Sequence, residues 1–83
     1  MKNKEIIFNE LKCSFNELFK ISDMKFDYLT YIYSLKNKNV LSLSSLELIT
    51  WIVFIEEKYN ISIDNLEINI ERLISLILGE NDE

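Results

Sequence analysis

The sequence predicts an all-α fold, a small helical bundle of three main helices plus short ones, forming a single domain over residues 1–83. Three observations predict it. Apolar residues recur at helical spacing in residues 3–20, 45–59 and 70–78. The second and third of these stretches each follow a residue able to cap a helix, Ser44 and Asn69. The chain has no proline, and its one glycine follows the last stretch, so no helix is interrupted. At 83 residues there is room for one modest core and none for a deep cleft between lobes. No linker, repeat or low-complexity tract divides the chain.

In the first helix, residues 3–20, Phe8, Leu11, Phe15 and Leu18 form the expected core stripe, with Lys and Glu between them. Cys13 lies off that stripe and reads as an incidental small residue. Residues 22–40, "SDMKFDYLTYIYSLKNKNV", fit helical spacing and strand alternation about equally well. The favoured reading is a short helix capped by Ser22 or Asp23 and ended by the "KNKN" cluster, then a loop. Phe26, Tyr28, Tyr31 and Tyr33 are expected to pack on the core as part of a long connection from the first helix to Ser45.

The stretch "LSLSSLELITWIVFIEEKY", residues 41–59, opens the second main helix. Ser44 followed three residues later by Glu47 is the S-x-x-E pattern of a capping box, which predicts Ser44 as N-cap. Ser45 then occupies the first helical position, where its hydroxyl is not needed for capping and points outward among free backbone N–H groups. Leu48, Ile52, Ile55 and Tyr59 form the core stripe, with Trp51 at its edge. Leu46, Ile49, Val53 and Phe54 form a second stripe, rotated away, fringed by Glu47, Glu56 and Glu57. That stripe either packs under residues 22–40 or is an exposed contact surface, and packing is the general expectation. Beyond it, Asp64 is expected to cap a brief turn at 64–67, and Asn69 a last helix at 70–78 that buries Ile70, Leu73, Ile74 and Ile77. Gly79 is placed to end that helix, and residues 79–83 are expected to fray.

Composition removes several kinds of chemistry. With no histidine and one cysteine, the chain cannot build a His-based triad, a Cys/His zinc site or an internal disulfide. Net charge is −5 and unevenly spread: residues 1–40 sum to +2 and residues 41–83 to −7. The second half should attract basic partners, and nucleic acid is disfavoured because binding it needs a basic stripe. No apolar run reaches the roughly 18 residues expected of a membrane span. Glu5 and Glu10 break the N-terminus as a secretory signal. The expectation is a soluble cytoplasmic monomer without a membrane partner, its lone cysteine fitting a reducing compartment.

The segment Leu41-Ser42-Leu43-Ser44-Ser45-Leu46-Glu47, then an apolar helix ending in Glu56-Glu57-Lys58-Tyr59, then Ile68-Asn69-Ile70, resembles the acyl and peptidyl carrier proteins over residues 41–78. In that family a Leu-Gly-x-Asp-Ser-Leu-Asp/Glu segment opens the second helix. The resemblance implies that Ser45 carries a covalent 4'-phosphopantetheine, whose terminal thiol holds an acyl or aminoacyl group as a thioester. It implies no catalysis by the chain itself. The partners implied are a phosphopantetheinyl transferase, an adenylating or acyl-transferring loading enzyme and downstream pathway enzymes, meeting a surface of Leu46, Glu47, Ile49, Thr50, Val53 and Glu57. Ser44 stands where the family usually has Asp, Ser42 where it usually has Gly, and Thr50 where an acidic residue is frequent; the segment from Ile63 to Ile70 is also shorter than in the fatty-acid type. These departures point to a specialised pathway of the nonribosomal peptide or polyketide type.

Two readings from other classes stand beside this one. A small acidic helical binding protein, such as an immunity protein or adaptor, would use the same acids and aromatics to cover one basic partner without modification. An enzyme relying on carboxylates alone would need a placed pair of acids, and none is evident in the sequence.

Overall fold

The computed structural model describes residues 3–21, 26–38 and 40–79. Among them are three α-helices, α1 (Lys4–Phe19), α2 (Ser45–Tyr59) and α3 (Ile70–Leu78), with one 3-10 helix, Ile32–Lys36, between α1 and α2. They form a small all-α bundle, and none is long and apolar enough to cross a membrane. The Ser22 or Asp23 cap and the tail beyond Gly79 lie outside the described residues.

Caps set the helix limits. The Asn3 carboxamide oxygen accepts the Ile6 N–H at 2.9 Å and starts α1, and the Asn69 carboxamide oxygen accepts the Arg72 N–H at 2.8 Å and starts α3. Lys20, Asn60 and Gly79 close the three helices in the left-handed region.

The core is centred on Trp51 and Phe15, both fully buried, whose rings stack at 4.4 Å between centroids. Trp51 Nε1 donates to Ser14 Oγ at 2.7 Å, and that hydroxyl donates in turn to the Leu11 carbonyl at 2.6 Å. The indole is therefore the hub of the α1–α2 contact, not the edge residue that the sequence suggested. It also corrects the stripe on α1: the buried residues are Ile7, Leu11, Ser14 and Phe15, whereas Phe8 is half-buried and Leu18 lies near the surface. On α3, Ile70, Leu73 and Ile74 are buried as expected, with Ile77 at the border.

The connection between α1 and α2 is stapled to the segment before α3. Ile32 N–H donates to the Ile68 carbonyl and Ile70 N–H to the Thr30 carbonyl, each at 2.9 Å, around an antiparallel bridge between Tyr31 and Asn69. Three corrections accompany the pairing. Residues 26–31 are turn and bridge, so the short helix is confined to Ile32–Lys36 and stops at the "KNKN" cluster. The bend at 64–67 is capped by Asn65, whose side-chain oxygen accepts the Glu67 N–H at 2.8 Å, rather than by Asp64, and Leu66 and Ile68 lend their carbonyls to the segment around the bridge. Tyr31 and Tyr33 project to solvent about half exposed, while Phe26 and Tyr28 pack against Phe8.

At the far end of α2, the Tyr59 hydroxyl donates to Glu10 Oε1 at 2.5 Å. Burial, and then the neighbouring carboxylate, push the Tyr59 phenol up from its ordinary value. Lys4 pairs with Glu71 at 2.6 Å on the α1–α3 surface, where both side chains are about half exposed; such a pair contributes little.

Replacing Ser14 with alanine leaves the buried indole N–H without its acceptor. Urea unfolding of Ser14→Ala is expected to show a loss of about 1–3 kcal/mol. An unchanged midpoint would mean that the bond does not position Trp51.

Candidate functional site

The start of α2 is built from a tightly closed turn. The Asn37 carbonyl accepts the N–H groups of Val40, Leu41 and Ser42 at 2.9, 3.1 and 2.9 Å, and Leu43 N–H donates to the Leu35 carbonyl at 3.2 Å. Leu35, Leu41 and Leu43 are buried, which anchors the turn to the core from both sides. Within it Ser42 has φ +62°, a left-handed conformation that glycine adopts without cost and other residues adopt with strain.

The two serines that follow have different work. Ser44 is the N-cap: its Oγ accepts the Glu47 N–H at 3.1 Å, and Glu47 Oε1 accepts the Ser44 N–H at 2.9 Å, completing the capping box. Ser45 is the first helical residue and is exposed. Its hydroxyl takes no part in the cap and instead accepts a hydrogen bond from Lys36 Nζ at 3.4 Å.

Along the helix, Leu48, Trp51, Ile52 and Ile55 face the core. The second stripe does not pack beneath the α1–α2 connection: Leu46 is 74% exposed, Ile49 54% and Val53 43%. The expectation of packing is corrected by the Trp51 contact, which directs the Leu48–Ile55 face inward and leaves this one uncovered among the described residues. Phe54 departs from the rest of its stripe, half-buried against the core with the Lys58 ammonium 5.6 Å from its ring centroid.

The polar fringe is thinner than the sequence suggested. Glu47 is held in the capping box, and Glu56 Oε2 accepts the Ile63 N–H at 2.8 Å, tying down the turn after α2. Glu57 is exposed. Thr50 is exposed on the same side, its hydroxyl bonded back to the Leu46 carbonyl at 2.9 Å. The structure thus brings Ser45, Leu46, Ile49, Thr50 and Val53 together on one outward side of α2. Lys36 is the member the sequence reading missed. The "KNKN" cluster was informative only as a helix stop, since its contact with Ser45 depends on how the turn closes.

Two surface hollows lie elsewhere. One of about 470 Å³ is lined by Lys4, Asn69, Glu71, Arg72, Ser75 and Leu78, and one of about 330 Å³ by Glu10, Cys13, Ser14, Glu17 and Lys58. Ser45 lines neither. Among the described residues no group of three His, Cys, Asp or Glu is placed to hold a metal ion. No protein-family model, curated protein or solved structure matches the chain.

The division of labour between the serines has a measurable consequence for stability. Ser44→Ala is expected to cost about 0.5–2 kcal/mol in urea unfolding. Ser45→Ala should stay within about 0.5 kcal/mol of wild type. Equal losses would contradict the assignment of the cap to Ser44 alone.

Proposed function

We propose that the chain is a carrier protein of the acyl or peptidyl type, modified on Ser45 by 4'-phosphopantetheine. It would pass a thioester-bound group between the enzymes of a nonribosomal peptide or polyketide type pathway. The observation that carries the reading is the contrast between adjacent serines: Ser44 is consumed by the capping box, while Ser45 presents an exposed hydroxyl that the fold does not require. Ser42 adds support, because its left-handed φ falls at the position where the carrier family usually has glycine.

The residues present fit the group. Attachment needs an accessible hydroxyl on a fixed backbone, and the buried Leu41 and Leu43 hold the backbone before Ser45. When bound, phosphopantetheine supplies a long arm with a terminal thiol on which cargo is held. Ser45 Oγ supplies the nucleophile for attachment to phosphorus, and the pyrophosphate bond of coenzyme A breaks as adenosine bisphosphate leaves. The serine proton goes to a base on the transferase, since this chain has no histidine and the contact described for Ser45 is to the Lys36 ammonium.

Leu46, Ile49 and Val53 would then be the contact surface for successive enzymes, and the −7 charge of residues 41–83 would steer basic partners towards it. Short-lived docking suits a protein that must be released after every transfer. The same exposed apolar side also suits the second reading, an unmodified acidic binding protein that covers one basic partner. That reading gives Ser45 no role.

Intact mass after incubation with coenzyme A, magnesium and a promiscuous phosphopantetheinyl transferase separates the two. Wild type and Ser44→Ala are expected to gain one phosphopantetheine and Ser45→Ala none. No gain in any of the three, with helices intact by circular dichroism, would favour the binding protein.

A further inference from the structure

Building on the carrier reading, we infer that Lys36 is the cationic partner of the phosphate on Ser45, a positioning residue that sets where the arm leaves the protein. Lys36 Nζ lies 3.4 Å from Ser45 Oγ in the unmodified chain. A phosphodiester places phosphorus one bond beyond Oγ and its anionic oxygens two, within reach of a flexible lysine side chain, and a charge-assisted bond to them is stronger than the present bond to a neutral hydroxyl.

The lysine is presented by a fixed backbone. Leu35, the residue before it, is fully buried and its carbonyl is bonded by Leu43 N–H. Asn37, the residue after it, accepts three N–H groups of the turn. Lys36 itself is exposed at the end of the 3-10 helix, so its side chain stands at the edge of the α2 entrance. Residues 41–57 contain three acids and no lysine or arginine, so the stretch bearing the serine supplies no cation of its own. A phosphate held by Lys36 would be drawn towards the 3-10 helix, away from Leu46, Ile49 and Val53. The arm would then leave the apolar contact surface open to a docking enzyme.

The test compares the unmodified and phosphopantetheinylated proteins, treating both with N-hydroxysuccinimidyl acetate and following each lysine by peptide mass. A Lys36 side chain held on the phosphate is less available to the reagent, so its acylation is expected to slow about two- to fivefold on modification, the range of an exposed charge pair. Lys38 should be unaffected. The slowing should shrink in 1 M salt, where screening acts within about 3 Å. The ³¹P resonance of the modified protein should move in Lys36→Gln, return towards wild type in Lys36→Arg and stay in place in Lys38→Gln. Equal Lys36 rates before and after full modification, or slowing undiminished by salt, would overturn the Lys36 assignment and leave the carrier reading intact. Failure of wild type to become modified would overturn both.

Discussion

The rest of the structure depends on the docking of Trp51 against α1. A fully buried indole brings a large apolar surface and one N–H that must find an acceptor away from water. Phe15 supplies the face and Ser14 the acceptor, and the two are adjacent in sequence. Meeting both demands leaves little rotational freedom for either helix. It turns Ile7, Leu11 and Phe15 of α1 inward and directs Leu48, Ile52 and Ile55 of α2 to the same core. The opposite side of α2 is then outward by geometry, although it carries Leu46, Ile49 and Val53. A small domain rarely leaves so apolar a helix side uncovered without a use for it.

The entrance to α2 follows a second constraint, the need to satisfy the first N–H groups of a helix. Ser44 and Glu47 meet part of that need reciprocally, which frees Ser45. The turn leading in is closed by three N–H groups on one carbonyl and anchored by buried leucines, and this closure brings Lys36 beside Ser45. An accessible hydroxyl, a nearby ammonium and an apolar contact side thus occupy neighbouring positions. Each has a separate physical cause, and the carrier reading gives the three a common use.

Much of this was legible in the sequence because it is local. Ser44-x-x-Glu47, Asn69 and Gly79 act within a few residues of themselves, and the limits of α2 and α3 fall where those residues put them. The exposed position of Ser45 follows from the same local pattern. What could not be read is set between distant segments. The rotation of α1 depends on an indole 37 residues from Ser14, and hydropathy alone prefers Phe8 and Leu18 to a buried serine. The bridge between Tyr31 and Asn69, with the Leu66 and Ile68 carbonyls beside it, makes the segment before α3 a partner for the α1–α2 connection. With Tyr31 held in the bridge and Ile32 and Leu35 of the 3-10 helix turned to the core, Tyr31 and Tyr33 face solvent despite their apolar rings. Lys36 belongs to the same class, an ordinary loop lysine until the turn closes.

The central claim is that the outward side of α2, from Ser45 to Val53, is where other proteins meet this one. Amide chemical-shift mapping of the labelled chain, titrated with a phosphopantetheinyl transferase in the absence of coenzyme A, tests it most directly. The account predicts perturbations concentrated on Ser45, Leu46, Ile49, Thr50 and Val53, with Lys36 at their margin and the α1–α3 surface around Lys4 and Glu71 unchanged. Perturbations centred on that α1–α3 surface, or none at saturating transferase, would contradict it.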